Sequence, residues 1–235
     1  MNDSKIIVAL DYADSSSALN LVNQLDSSLC KLKVGKELFT AAGPLLVEKL
    51  ISKNFQVFLD LKFHDIPNTV AKACKAASDL GVWMLNVHAS GGLDMMQASK
   101  QAVDNTNNQP LLIAVTVLTS MNEAQFTRIG IEDSLENHVI RLAKLTKEAG
   151  LDGVVCSAGE TFKLREELGS DFCLVTPGIR PENVSLDDQK RVASPSIAIR
   201  QGSSYLVIGR PITQATHPIK VLMAINQEIQ SASNS

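Results

Sequence analysis

Eight short apolar segments, separated by longer segments with helical periodicity, constrain the fold of this chain more than any other feature. Strands that are apolar along their whole length are typical of parallel sheets, because helices cover such sheets. The alternation of strands and helices therefore predicts an α/β protein. The predicted strands cover residues 5–10, 30–35, 56–62, 82–88, 111–118, 152–157, 172–177 and 205–210.

The segments between these strands carry the signals of helices. Leu135, Val139 and Leu142 recur at the spacing of one helix face. Pro67 fits the first position of a helix, and Gly150 stands where a helix is expected to end. The sequence therefore repeats a unit of one strand and one helical segment.

Eight such units in 235 residues match a single-domain (β/α)8 TIM barrel near the lower end of its size range. A doubly wound open sheet is the competing architecture, and it is expected to carry a GxGxxG turn after its first strand. The first strand is instead followed by Asp11 and Tyr12. Because the sequence contains no linker and no second core, residues 1–235 are predicted to form one domain.

Composition narrows the classes of partner and compartment. A net charge of −3, without any run of basic residues, argues against a nucleic-acid or membrane-surface protein. No apolar segment reaches the roughly 18–20 residues of a spanning helix, and the first residues lack the apolar region of a signal peptide. Without CxxC motifs, the cysteines are expected to be reduced thiols of a cytoplasmic protein. They are Cys30, Cys74, Cys156 and Cys173.

Nearly every predicted strand begins apolar and ends polar. In (β/α)8 barrels, active sites lie at the carboxyl ends of the strands, so this asymmetry predicts a site there. The polar residues at or just after the strand ends are Asp11, Lys33, Asp60, Lys62, Asn86, His88, Thr119, Ser120, Ser157, Thr176 and Arg210.

The segment DLKFHD places Asp60, Lys62 and Asp65 on and just past the third strand. Residues two apart in a strand point to the same side, so Asp60 and Lys62 are expected to face the barrel interior together. One interpretation is a structural ion-pair network, but buried ion pairs stabilise little once desolvation is counted. A reaction centre is therefore favoured. A lysine between two carboxylates keeps its proton, which suits a general acid better than an imine-forming amine.

Two glycine turns, TPGIR and IGRPIT, follow the seventh and eighth strands. Loops at these positions often bind phosphate through backbone N–H groups, and Arg180 and Arg210 add positive charge. The alternative is that Gly178 and Gly209 are ordinary turn glycines beside surface arginines. The pair together favours a phosphorylated substrate. A metal ion is not predicted, because Lys33 and Lys62 would compete with it.

Extended motifs then resemble one family over about residues 5–229. The similar family is the bacterial type of orotidine 5′-phosphate decarboxylase. The short pattern Asp-x-Lys-x-x-Asp is shared with a wider barrel superfamily, whereas the longer strings are far more specific. They are VALDY (8–12), LKVGKELF (32–39), DLKFHDIPNT (60–69), LNVHASGG (85–92), VTVLTS (115–120), LVTPGIRP (174–181) and VIGRPIT (207–213).

The resemblance implies a homodimer with shared active sites that converts orotidine 5′-monophosphate to UMP and CO2 without a cofactor, the last step of de novo UMP synthesis. It implies that Asp65 and Thr69 reach into the partner's site. The implied catalytic residues are Lys33, Asp60, Lys62 and Asp65. The implied substrate contacts are Asp11, Lys33 and Asp60; Thr69, Thr119 and Ser120; and, towards the phosphate, Pro177, Arg180, Gln189, Gly209 and Arg210.

Two other functions remain open at this point. One is a Mg²⁺-dependent decarboxylase of a keto-sugar phosphate, or a pentulose-phosphate aldolase, from the same barrel superfamily. The other is a catalytically silent barrel that only binds a nucleotide. The silent barrel is expected to have lost Lys62 or one of its flanking carboxylates, and all three residues are present.

Overall fold

Parallel strands close into a barrel in this protein, whose computed structural model describes residues 4–181 and 193–233. Within these residues eight strands pair in chain order, and the eighth pairs with the first. The single-domain (β/α)8 prediction is therefore confirmed. The strands are β1 (Ile6–Leu10), β2 (Lys31–Gly35), β3 (Val57–Phe63), β4 (Met84–His88), β5 (Leu111–Val115), β6 (Gly153–Val155), β7 (Cys173–Thr176) and β8 (Tyr205–Ile208).

Helices cover the outer face of the barrel, and the turn signals in the sequence mark several of their ends. Pro67 begins a helix as predicted. Gly150 follows a helix end with φ +80°, a conformation that glycine adopts without strain. The described helices are α1 (Ser15–Val22), α2 (Lys36–Ala42), α3 (Pro44–Ser52), α4 (Pro67–Asp79), α5 (Leu93–Asp104), α6 (Glu123–Arg128), α7 (Leu135–Glu148), α8 (Ala158–Leu168), α9 (Pro195–Arg200), α10 (Arg210–Thr213) and α11 (Pro218–Ser233).

The strand ends differ most from the sequence prediction at the carboxyl side of the barrel. β5 ends at Val115 rather than at residue 118, and β6 ends at Val155 rather than at residue 157. The Thr116 hydroxyl donates to the Val155 carbonyl oxygen, so a side chain replaces the next rung of the ladder. The apolar residues beyond these ends belong to loops at the barrel mouth.

Two apolar layers hold the barrel together. One lies between the strands and the helices. The other fills the barrel interior with Ile7, Phe58, Met84, Ile113 and Val175, each at most 1% exposed. Because bulky side chains fill the interior, the barrel is a packed core rather than a pore.

Three of the four cysteines lie in these packed regions. Cys30, Cys74 and Cys156 are buried free thiols, and Cys173 is a partly buried free thiol, as the sequence predicted. Burial raises the pKa of Cys30 to about 12, so this thiol stays protonated. Among the described helices, none is both long and apolar enough to cross a membrane.

We predict that Met84→Ala lowers the free energy of unfolding by about 2–5 kcal/mol, because it leaves a cavity in the interior layer. The matched control is Met223→Ala on α11, where the side chain is 55% exposed. That change should alter stability by no more than about 0.5 kcal/mol. Urea unfolding at one fixed protein concentration measures both. Equal effects would contradict a packed interior layer.

Candidate active site

A cavity of about 270 Å³ opens at the carboxyl ends of the strands. Phe58 and Val175 belong both to the interior layer and to the cavity wall, so the packed layer forms the floor of the cavity. Nine of the residues predicted for the site line this cavity. They are Asp11, Lys33, Asp60, Lys62, Thr119, Pro177, Arg180, Gly209 and Arg210.

Four of these residues form a row of alternating charge along one wall. The Lys33 ammonium lies 3.3 Å from Asp11 Oδ1 and 3.4 Å from Asp60 Oδ2. The Lys62 ammonium lies 2.5 Å from Asp60 Oδ1. Since β1, β2 and β3 are neighbours in the barrel, their ends bring these side chains together. Asp60 is the centre of the row, because it contacts both lysines.

Asp60 is ionised although it is only 9% exposed. Burial is the largest influence and raises the pKa of this carboxyl group. The positive charges of Lys33 and Lys62 oppose it, and hydrogen bonds from Lys62 and Asn86 add to their effect. The net result is a pKa below the ordinary value of aspartate.

Lys62 does not lie on a regular strand, which corrects the simple alternation argument. The pairing of β3 with β4 shifts register between Leu59 and Phe63, and Lys62 has a left-handed backbone with φ +53°. Its N–H donates to Asn86 Oδ1 over 2.8 Å instead of to a strand carbonyl. The lysine thus reaches Asp60 from a bulge and not from strand periodicity.

Asn86 is the residue of the site that sequence reasoning missed. It is fully buried in β4, and its side-chain Nδ2 donates to Asp60 Oδ1 over 2.7 Å. A polar residue inside an otherwise apolar strand was the available signal, since buried polar groups need a specific partner. The sequence identified it only as a polar strand end.

Asp65 and Thr69 do not line the cavity of this chain. Both are exposed, and within the described residues Asp65 forms no ion pair with Lys62. Ile66, which precedes Pro67, is extended at φ −58° and ψ 150°, as a residue before proline prefers. This turn carries Asp65 away from the strand. Within one described chain, Asp60 is therefore the carboxylate that pairs with Lys62, and the role of Asp65 at the partner's site stays a prediction.

The remaining predicted residues divide between the cavity and its surroundings. Thr119 lines the cavity, whereas Ser120 is exposed and does not. Arg180 is 8% exposed, and its Nη1 donates to the Ile179 carbonyl oxygen over 2.9 Å. Gln189 lies outside the described residues.

Two histidine rings lie beside the row of charges. The centroids of His64 and His88 are 5.5 Å apart. Burial is the main cause that lowers the pKa of His88 to about 4, and the nearby positive groups lower it further. His88 is therefore a neutral imidazole at neutral pH.

The arrangement favours electrostatic chemistry around an ammonium group over metal binding at Asp60. Both oxygens of this carboxylate already face cationic or amide donors. A divalent ion would have to displace one of them. Among the described residues, no group of three or more histidine, cysteine, aspartate or glutamate residues is arranged to hold a metal ion.

The family model described as "Orotidine 5'-phosphate decarboxylase / HUMPS family" matches residues 4–225. The chain belongs to this family. The family match thus includes all eight strands of the barrel and every residue of the charge row.

Individual family members are similar over nearly their whole length. An orotidine 5′-phosphate decarboxylase of Nitrosomonas eutropha is 60% identical, covering 99% of this chain and 100% of its own. One of Nitrosospira multiformis is 59% identical, covering 98% and 95%. A crystal structure of orotidine 5′-phosphate decarboxylase from Lactobacillus acidophilus aligns with a TM-score of 0.87 at 39% identity, covering 97% and 99%.

We predict that Lys33→Met raises the pKa of Asp60, because it removes one of the two positive charges that favour the carboxylate. A titration of the side-chain carboxyl carbon by ¹³C NMR measures this pKa. The control is Lys75→Met, since the Lys75–Asp79 pair is exposed on α4. An unchanged Asp60 pKa in Lys33→Met would show that the ion pair does not set it.

Proposed function

We propose that this chain decarboxylates orotidine 5′-monophosphate to UMP and CO2, the last step of de novo UMP synthesis, without a cofactor. The observation that carries the proposal is the Lys62 ammonium paired with Asp60 in the cavity at the carboxyl end of the barrel. The relatives that are 59–60% identical are named for this activity.

The charge row suits the chemistry of this reaction. Loss of CO2 from C6 of the pyrimidine leaves a carbanion with little resonance stabilisation. A preorganised ammonium group stabilises such charge most effectively in a site that excludes water. Lys62 supplies that group and then protonates C6 as a general acid. Asp60, kept ionised by its neighbours, holds the ammonium in place.

The rest of the cavity suits a nucleotide. Asp11 and Lys33 are proposed to contact the ribose, and Thr119, rather than the exposed Ser120, the pyrimidine. The phosphate end is proposed at the loops after β7 and β8, where two arginines supply charge for an anion. The proposed phosphate-side residues are Pro177, Arg180, Gly209, Arg210 and, outside the described residues, Gln189.

Binding energy from the phosphate can act at a distance from the reacting carbon. The phosphate does not react, but contacts to it hold the pyrimidine against Lys62. These contacts raise the rate if they position the pyrimidine as the transition state requires. The phosphate loops and the charge row therefore work as two ends of one site.

The Mg²⁺-dependent alternative is not supported. The family description also includes the name HUMPS, but the relatives that are 59–60% identical over nearly the whole chain carry the decarboxylase name. The occupied oxygens of Asp60 give a structural reason in the same direction.

The assay that tests the reaction uses protein treated with EDTA and orotidine 5′-monophosphate. We expect loss of the orotate absorbance with formation of UMP, and the same rate after Mg²⁺ is restored. A keto-sugar phosphate should not be consumed. Activity only on the sugar phosphate, or only with Mg²⁺, would replace the proposed function by the alternative.

We also propose that two copies of the chain form a homodimer with shared active sites. Asp65 and Thr69 are exposed outside the cavity, and Ile66 between them is 67% exposed. An exposed apolar side chain flanked by polar residues is suited to a protein interface. In this assembly Asp65 supplies the second carboxylate to Lys62 of the partner subunit.

The remaining parts of the proposal are one domain over residues 1–235, a cytoplasmic location, and no nucleic-acid or membrane partner. The barrel closes by pairing of β1 with β8, and α11 packs on α9, so the two ends of the described chain contribute to one unit. Four free cysteines are consistent with a reducing compartment. A net charge of −3 offers little attraction to polyanions.

Mixing two inactive variants tests the shared site. Lys62→Ala and Asp65→Ala are each expected to lose about 10³-fold in kcat, since each removes a charge that acts on the transition state. Dissociation and reassociation of an equal mixture should restore about one quarter of the wild-type activity, because half of the dimers then contain one intact site.

Size-exclusion chromatography with light scattering checks that the dimer forms. A mixture of Lys75→Ala with Lys62→Ala is the control for the effect of mixing an inactive chain with a chain whose site residues are intact. If the Lys62→Ala and Asp65→Ala mixture stays inactive although mixed dimers form, Asp65 does not act across the interface. Near-normal turnover by Lys62→Ala alone would remove Lys62 from the mechanism.

A further inference from the structure

The side chain of Asn86 joins Asp60 and Lys62, two neighbouring members of the charge row. Its Oδ1 accepts the backbone N–H of Lys62 over 2.8 Å, and its Nδ2 donates to Asp60 Oδ1 over 2.7 Å. Asn86 is fully buried in β4, next to β3 in the barrel. It does not line the cavity, so it acts on the site only through these neighbours.

The backbone of Lys62 explains why such a residue is needed. A left-handed backbone is unfavourable for a residue with a side chain, and it persists only where the surroundings hold it. With φ +53°, Lys62 lies where the pairing of β3 with β4 shifts register, and its partly buried N–H needs an acceptor outside the regular ladder. The Asn86 carbonyl oxygen provides that acceptor.

The same conformation determines where the ammonium lies. The register shifts between Leu59 and Phe63. In a regular strand without this shift, the Lys62 side chain would point in a different direction. Asn86 therefore fixes the start of the Lys62 side chain, and through Asp60 it also fixes the group that its ammonium contacts.

We propose that Asn86 is a positioning residue of the decarboxylation: its amide holds the Lys62 backbone in the left-handed conformation and orients the Asp60 carboxylate against the Lys62 ammonium. This inference rests on the proposed function for its kinetic consequences. An amide suits the task because it offers one acceptor and one donor on the same rigid group.

Two substitutions separate this role from simple filling of the core. Asn86→Leu has a similar size and removes both hydrogen bonds. Asn86→Asp keeps the acceptor for the Lys62 N–H, and it keeps the donor to Asp60 only while the new carboxyl group is protonated. The protonated form therefore imitates the amide, and the ionised form repels Asp60 at short distance.

The charged and titratable groups around Asn86 make this behaviour specific. Lys33 projects from β2, and Asp60 and Lys62 project from β3. His88, further along β4, is neutral at neutral pH, so it does not titrate in the range of interest. His64 lies against His88. On β5 the residue paired with Asn86 is the apolar Ile113.

The experiment measures kcat and KM for orotidine 5′-monophosphate over roughly pH 5–9. Asn86→Leu is expected to lower kcat about 100-fold, the cost of a misplacement on the order of 1 Å, with KM changed by less than about threefold. Asn86→Asp should recover much of this loss at the acidic end. Its kcat relative to wild type should then fall as the pH rises.

The controls are Asn226→Leu and Asn226→Asp. Asn226 on α11 donates to the carbonyl oxygens of Leu29 and Leu222, away from the charge row. Both should show the wild-type pH profile. Circular dichroism across the same pH range monitors folding. If Asn86→Leu does not fold, the falling pH profile of folded Asn86→Asp decides alone.

A wild-type kcat in Asn86→Leu, or equal kcat values for the Leu and Asp variants throughout the pH range, would overturn the inference. If only the Asn86→Asp variant folds, a wild-type pH profile of its kcat would overturn the inference. A measurement that does not depend on turnover tests the positioning role separately from the proposed function. By ¹³C NMR, Asn86→Leu should raise the pKa of Asp60, since the carboxylate loses a hydrogen bond. An unchanged pKa would overturn the positioning role even if the wild-type enzyme is inactive on the nucleotide.

Discussion

The contact of one buried carboxylate with two lysines is the interaction on which the rest of the site depends. Asp60 takes its position from β3, and Lys33 and Lys62 approach it from opposite oxygens. Buried charges of this kind are costly unless each has a partner, so removal of Asp60 would leave Lys62 without the carboxylate that it contacts. The barrel supplies the rigid frame that holds the three charges at these distances, and the apolar floor below keeps the field between them strong.

Much of the fold follows from the sequence, because its signals are local and repeated. Eight apolar runs with helices between them leave few architectures, and Pro67 and Gly150 mark helix ends by restricting or permitting particular backbone angles. The strand ends at the mouth were harder to place. Beyond Val115, side-chain hydrogen bonds replace the backbone ladder, and hydrophobicity alone does not reveal that exchange.

The candidate site was only partly predictable, for a different reason. Alternation along a strand brought Asp60 and Lys62 together, but the actual contact depends on a register shift and on a bond from β4. The sequence identified Asn86 only as a polar strand end, because its role depends on a contact with Lys62, which lies 24 residues away in the chain. The placement of Asp65 at the partner's site came from the resemblance alone and stays a prediction; within one chain, Asp65 is exposed and lies outside the cavity.

The packed layer beneath the cavity limits how the substrate enters and how the products leave. Phe58 and Val175 close the axial route, so the barrel mouth is the passage for the substrate and for both products. In the proposed reaction, two products of different size and charge, CO2 and the dianionic UMP, must leave through the same barrel mouth. The order of product release then depends on how long the bound nucleotide, held by its phosphate, blocks the mouth of the barrel.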